Sequence, residues 1–253
     1  MKNNKILCIL QARMWSTRLP GKILKKIKKK TLIEYEIDRI KRSKYIDKIV
    51  IATSKNQSDD ILEILCKKIN INCYRWEEED VLKRFFDCSN KYNDYNIIVR
   101  LTWDCPLIDP EIINKTIEKF LKSWVDYCSN IEPETFPDWL DVEVFTKKSL
   151  ENAYLNAKLP SEREHVTPFI RKHSSKTNYA NPINYSNFRL TVDEKEDFDL
   201  IKTLIEKVWP DKWYLDYINH TKQFWLDKIN NKFKRNEGFQ KSSNEDKKFI
   251  NNS

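Results

Sequence analysis

The chain has 253 residues, 40% of them hydrophobic and 33% charged, a balance that excludes a disordered polypeptide and suits one large folded domain. No stretch approaches the ~20 apolar residues of a membrane helix, and the first apolar run is too short for a secretion signal, so the expected setting is the cytoplasm with no membrane partner. The net charge of +8 invites a nucleic-acid partner, but the lysines are dispersed and no RNA- or DNA-binding signature accompanies them; an anionic small substrate suits the charge equally well.

In chain order, apolar runs alternate with helical patterns. Ile6 to Leu10 reads as a buried strand. The loop after it contains Ala12, Arg13, Trp15, Ser16, Thr17, Arg18, Pro20, Gly21 and Lys22. It gathers cations and hydroxyls at the strand's carboxyl end, where open α/β sheets bind ligands. That mixture suits a polyanion such as a nucleoside triphosphate; a solvated basic loop is the plainer alternative. The spacing is not that of a Walker A loop.

Thr31 to Ser43 reads as an amphipathic helix capped by Thr31. Ile49 to Thr53 reads as a strand, Ser58 to Ile69 as a helix, and Asn72 to Tyr74 as a short strand. Asp80 to Lys91 is helical, Ile97 to Leu101 is a strand, and Asp109-Pro110 opens a helix through Leu121. The alternation predicts an α/β fold, a mostly parallel sheet covered by helices on both faces. Beyond Asp126 the pattern loosens. Val142 to Phe145 alternates like a half-buried strand, while Glu162 to Lys172 and Lys195 to Glu206 read as helices. The expected partition is a main domain over 1–208, a helical extension over 209–240 and a disordered tail over 241–253. The aromatic residues of the extension offer a surface for a homodimer.

Three further segments carry chemistry. Asp104 emerges just past the Ile97–Leu101 strand, on the sheet edge that holds the basic loop. A carboxylate there suits Mg²⁺, which takes one or two carboxylates plus phosphate oxygens; an ordinary turn aspartate is the alternative. Asp193 follows a short apolar strand and precedes a helix, where an N-cap is the alternative, stronger for Asp197. The third constellation joins Asp141 and Glu143 with Arg163, Glu164 and His165. Acid–base work is open to His165; local salt bridges and a Ser161–Glu164 capping pair are the alternative. The six cysteines form no C-x-x-C pair and the three histidines are scattered, so no zinc site is expected and the thiols read as reduced core residues.

Taken together, the segments QARMWSTRLPGK, IVIATS, EEEDVLKRFF, VRLTWDCPLIDPE, VDYCSN, PDWLDVEVF, LPSEREHVTPFIR and RLTVDEKEDFDL resemble, in order, the cytidylyltransferases of the spore coat polysaccharide biosynthesis protein F type. That family is related to the synthetases of CMP-sialic acid and CMP-3-deoxy-manno-octulosonate. The resemblance implies a Rossmann-like nucleotidyltransferase fold of GT-A-like character, with a small β insertion and a helical C-terminal tail. It implies activation of a sugar, most simply a sugar acid, by CTP with release of pyrophosphate, for surface polysaccharide or glycan synthesis. By carry-over, Leu10, Ala12, Arg13, Ser16, Arg18 and Lys22 hold CTP, with Ser54 and Arg100 near base and ribose. Asp104 and Asp193 hold Mg²⁺. Asp141, Glu143, Arg163, Glu164 and His165 face the acceptor. Arg13, Lys22 and Asp104 are the expected catalytic residues. A glycosyltransferase of related fold is the alternative; its D-x-D motif is matched in spacing only by Asp197 and Asp199, inside a predicted helix.

One feature departs from that family. The chain holds two glycines and eight tryptophans, against an average glycine usage of about 7%. The family pattern has glycine where this chain has Trp15, Trp103 and Trp139, and usually also at Trp76 and Trp124. A single cause accounts for both numbers: UGA codons that the source organism reads as glycine, rendered here as tryptophan. The rival is a decayed, inactive paralogue. Trp209, Trp213 and Trp225 have no clear counterpart in the family and stay open.

Overall fold

The computed structural model describes residues 4–233, 235 and 237–251. Its first strand, β1 (Ile6–Gln11), is buried on both faces, with Ile6 to Leu10 at most 2% exposed. Alternate side chains divide between two cores: Ile6, Cys8 and Leu10 enter one, Leu7 and Ile9 the other. A parallel strand sandwiched between helix layers has this pattern. After β1 comes the basic loop, then a short antiparallel hairpin, β2 (Lys26–Ile27) and β3 (Lys30–Thr31). Helix α1 (Leu32–Ile40) starts at Thr31 with a capping box: Glu34 N–H donates to the Thr31 hydroxyl and Thr31 N–H to the Glu34 carboxylate.

The chain then lays down β4 (Lys48–Ser54), α2 (Asp60–Lys68), β5 (Asn72–Trp76), α3 (Val81–Lys91), β6 (Ile97–Thr102) and α4 (Pro110–Ser123). Strands β5, β4, β1 and β6 lie side by side in that order, all parallel. An antiparallel β8 (Glu143–Thr146) pairs with β6, then with β7 (Tyr127–Ser129), which pairs with β9 (Lys176–Asn178). The sheet is therefore mostly parallel with helices packed on both faces, the α/β architecture that the alternation implied. From β1 the chain steps outward to β4 and β5, then returns to β6 on the other side of β1. This reversal makes a crevice at the carboxyl ends of β1 and β6.

Beyond β8, α5 (Lys147–Asn156) leads to two short helices, α6 (Pro160–His165) and α7 (Pro168–His173), where one helix was expected. The break is at Val166, whose φ of 71° and ψ of −52° no helix tolerates. Thr167 N–H closes a three-residue turn on the His165 carbonyl at 2.8 Å, and Pro168 then opens α7. The expected Ser161–Glu164 cap does not form. Glu162 instead accepts from the N–H groups of Lys158 and Leu159, each at 3.1 Å. The short strand expected before Asp193 is only a single bridge between Arg189 and Asp138.

Helices α8 (Lys195–Lys207) and α9 (Tyr214–Gln223) follow, and the chain ends in α10 (Glu237–Asn251). The expected disordered tail from 241 is thus helical as far as 251. Asp246 anchors it by accepting from both the N–H and the hydroxyl of Ser161, at 2.9 and 2.5 Å. A polar sequence concealed this helix because its anchor is a polar one. Among the described residues no helix is long and apolar enough to cross a membrane.

Candidate active site

The basic loop leaves β1, and the loop carrying Asp104 leaves β6, at the same crevice. Trp103 N–H joins them, donating to the Gln11 carbonyl at 3.2 Å. Gly21, at φ 64°, takes the left-handed turn that sends Lys22 inward. The Lys22 ammonium is buried and donates to the Val192 carbonyl at 2.7 Å and to Asp193 at 2.8 Å. It also lies 4.7 Å from the Trp103 ring centre. Arg18 reaches Asp193 at 3.0 Å and Glu194 at 3.1 Å, and Arg189 adds a third cation to Asp193 at 3.2 Å. Burial opposes ionisation of Asp193, but Lys22, then Arg18 and Arg189, outweigh it and hold the carboxyl below its ordinary range.

Asp104 sits beside this cluster. Its carbonyl accepts from Val192 N–H at 2.8 Å and from the Thr191 hydroxyl at 3.2 Å, tying the two aspartate loops together. Its carboxylate meets the Cys105 thiol at 3.6 Å, and among the described residues no cation pairs with it. The effect reaches the core behind. Glu36 is fully buried, and burial, then repulsion from Asp104, push it well above the usual carboxylate range against the opposing pull of the Cys105 backbone N–H.

Two cavities meet here. One, of about 290 Å³, is lined by Ala12, Arg13, Ser16, Arg18 and Lys22 together with Asp104 and Asp193. The other, of about 440 Å³, is lined by Arg100, Asp138, Asp141, Glu143, His165, Arg171 and Arg189. Arg18, Thr102, Asp104 and Asp193 border both and form the partition. In the larger cavity, Glu143 is buried and accepts from Arg100 at 2.5 Å and from Tyr127 at 2.7 Å. Burial disfavours its charge, but Arg100 and Arg171 overcome this and lower its pKa. Burial and then repulsion from Asp141 push Asp138 up to about 7, against the pull of Arg235 and Arg189.

The sequence-based site residues divide accordingly. Ala12, Arg13, Ser16, Arg18, Lys22, Asp104 and Asp193 line the smaller cavity, although Arg13 turns its guanidinium toward Glu78 at 3.7 Å rather than toward Asp193. Leu10 is buried in the core, and the Ser54 hydroxyl is bonded to Asp59 at 2.6 Å; neither lines either of these two cavities. Arg100, expected near a base and ribose, lines the larger cavity, where Glu143 across the β6–β8 pair holds it. Asp141, Glu143 and His165 line that cavity. Arg163 binds Asp80 and Glu164 binds Ser242, both outside it.

No group of three or more His, Cys, Asp or Glu side chains is placed to hold a metal ion among the described residues. A nucleotide-bound Mg²⁺ needs only one or two carboxylates, with phosphate oxygens and water for the rest. Asp104, uncompensated and facing both cavities, fits that role. Asp193 fits it only when one of its three cations turns to another anion.

A family model described as cytidylyltransferase matches residues 7–246. The chain belongs to the cytidylyltransferase family. It is similar to the spore coat polysaccharide biosynthesis protein SpsF of Bacillus subtilis, 34% identical over 219 residues that cover 81% of this chain and 88% of that protein. It is also similar to a 3-deoxy-manno-octulosonate cytidylyltransferase of Leptospira interrogans, 31% identical over 66% of this chain and 69% of that protein. Among solved structures, a cytidylyltransferase from Leptospira borgpetersenii superposes with a TM-score of 0.85 at 33% identity, covering 92% of this chain and all of that one.

This cytidylyltransferase is therefore a nucleotidyltransferase enzyme, and its fold is the Rossmann-like one of that group. Sequence reasoning missed Arg171 and Arg189 as parts of its larger cavity. Arg189 binds Asp138 at 3.1 Å, Asp193 at 3.2 Å and Asp197 at 3.0 Å, linking one cavity to the other. The signal available was two aspartates, Asp193 and Asp197, within eight residues of it in RLTVDEKED. Asp197 is fully buried in this network at the start of α8, so the Asp197-x-Asp199 spacing does not make a metal motif.

Proposed function

We propose that this cytidylyltransferase joins the CMP moiety of CTP to a sugar acid, releasing pyrophosphate, as one step in making a surface glycan. The observation that carries the reading is the partition. A cation-lined cavity and a larger mixed-charge cavity share Asp104, Asp193 and Arg18. A triphosphate in the first would present its α-phosphorus to an acceptor in the second.

The acceptor oxygen attacks the α-phosphorus in line and gives its proton to solvent water, the bond from the α-phosphorus to the α–β bridging oxygen breaks, and pyrophosphate departs with that oxygen. Arg13, Arg18 and Lys22 neutralise the leaving oxygens, and positioning with charge stabilisation supplies most of the acceleration. Arg18 is 40% exposed at its side chain, so it can exchange Asp193 for phosphate at small cost and free that carboxylate. Asp104, with Asp193, would hold Mg²⁺, which when bound supplies Lewis-acid polarisation of the α-phosphate. In the acceptor cavity, the Nε atoms of Arg100 and Arg171 are buried without a hydrogen-bond partner. An acceptor carboxylate would satisfy such donors, which favours a sugar acid over a neutral sugar.

The test is pyrophosphate release from each of the four nucleoside triphosphates with Mg²⁺ and a panel of sugar acids and neutral sugars. The expected result is release with CTP and a sugar acid. Preference for another nucleotide, or for neutral sugars, contradicts the reading.

A further inference from the structure

Arg235 and helix α10 touch residues on two sides of the larger cavity. On one rim, Arg235 donates to Asp141 at 2.5 Å and to the Phe136 carbonyl at 3.2 Å, and its Nε lies 3.5 Å from Glu134 and 3.6 Å from Asp138. On the other, Ser242 meets the His165 Nε2 at 3.0 Å and also bonds Glu164, while Asp246 holds Ser161. Between these anchors Phe239 lines the cavity. Its ring stands edge-on to His165 at 5.3 Å, and the Arg171 guanidinium lies 5.9 Å from its centre.

We propose that Arg235 and helix α10 from Phe239 to Asp246 form the outer wall of the acceptor site, and that Arg235 and Phe239 select the acceptor. This rests on the cytidylyl-transfer reading above. Arg235 neutralises three carboxylates that would otherwise repel an anionic sugar. Phe239 offers an aromatic face of the kind that packs on the C–H face of a sugar ring. Neither residue borders the nucleotide cavity, so acceptor choice and CTP binding separate.

The experiment compares the wild type with Phe239→Ala, Phe239→Tyr, Arg235→Gln and Arg235→Lys. Mg²⁺·CTP affinity is read by calorimetry, and the acceptor KM by pyrophosphate release with the sugar-acid panel. The expected result is an acceptor KM raised at least tenfold in the Ala and Gln variants, with CTP Kd within twofold. The Tyr and Lys variants recover most of the loss. Unchanged acceptor KM, or CTP binding weakened as much as acceptor binding, overturns the wall and leaves the reaction standing. No release by the wild type with any sugar acid overturns the reaction and the wall with it.

A different observation carries a second inference. Trp124 ends α4 at φ 53° with its residue 95% exposed, Trp209 has φ 75° at 62% exposed, and Trp225 has φ 51° at 70% exposed. The left-handed conformation is the one glycine takes freely at helix ends and turns. An indole there meets Cβ strain and gains little burial in return. We infer that glycine is the native residue at 124, 209 and 225, which extends the reassigned-codon expectation to two tryptophans that the family pattern left open. The test is the genomic codon at each position, together with peptide mass spectrometry of the protein from its source. UGA with a glycine mass supports the inference; UGG, or a tryptophan mass, overturns it. The triple Trp→Gly protein is expected to melt about 5 °C higher, and an unchanged or lower Tm counts against the inference.

Discussion

The Lys22 ammonium lies 2.8 Å from an Asp193 carboxylate oxygen 171 positions along the chain. The contact closes the crevice between the loop after β1 and the segment before α8. It also holds a buried ammonium at the edge of the smaller cavity. A charged hydrogen bond from the same ammonium to a phosphate oxygen would contribute about 1.5–3 kcal/mol. Lys22→Met should therefore raise the KM for CTP at least tenfold, while the acceptor KM moves little. Steady-state kinetics with each substrate varied in turn checks this.

Gly21 sets up that lysine. Its φ of 64° is open to glycine, and although a Cβ there would meet no atom within 4 Å, the backbone itself resists one. Gly21→Ala should cost about 1–2 kcal/mol through this conformational term, lowering Tm by about 2–8 °C. Thermal unfolding measures it.

Arg189, 9% exposed at its side chain, sits among three aspartates and is the counterion of Asp197, which has no exposure. Removing one member of a buried ion network strands the others, at about 3–5 kcal/mol. Arg189→Gln should be strongly destabilised in urea, and Arg189→Lys should recover only part because one ammonium cannot span three carboxylates.

Glu36 makes a prediction in pH. Burial, then Asp104, raise its folded pKa well above 4.5. The fold therefore favours the protonated form. The stability it contributes is full below about pH 4.5 and falls as pH rises toward the folded value. Glu36→Gln removes that dependence. It should unfold at a higher temperature than the wild type at pH 8 and at nearly the same temperature at pH 4. A wild type and variant that track each other across this range contradict the account.

The sequence made the parallel core legible because β1, β4 and β6 are continuous apolar runs with capped helices between them. The cationic loop and Asp104 were legible for a related reason: each follows a core strand directly, so their shared edge is fixed by topology. The larger cavity was less so. Arg100 turns to Glu143 only because β8 pairs antiparallel with β6, a pairing that no periodicity in the sequence reveals. The separation of α6 from α7 depends on the positive φ of Val166, a residue whose β-branched side chain argues for the opposite. Arg235 and Phe239 lie in a stretch whose polar composition reads as a tail, and their place comes from contacts with residues 74 to 101 positions earlier.

The central claim is that Asp104 works at the partition between nucleotide and acceptor. The most direct measurement is Mg²⁺-dependent pyrophosphate release by Asp104→Asn, alongside calorimetric CTP binding and thermal unfolding. It should be run both in the chain as written and with glycine at positions 15, 76, 103, 124 and 139. The account predicts a folded protein that has lost turnover by at least a hundredfold, in line with removal of one electrostatic group from a transition state. A variant that stays active and Mg²⁺-dependent contradicts it.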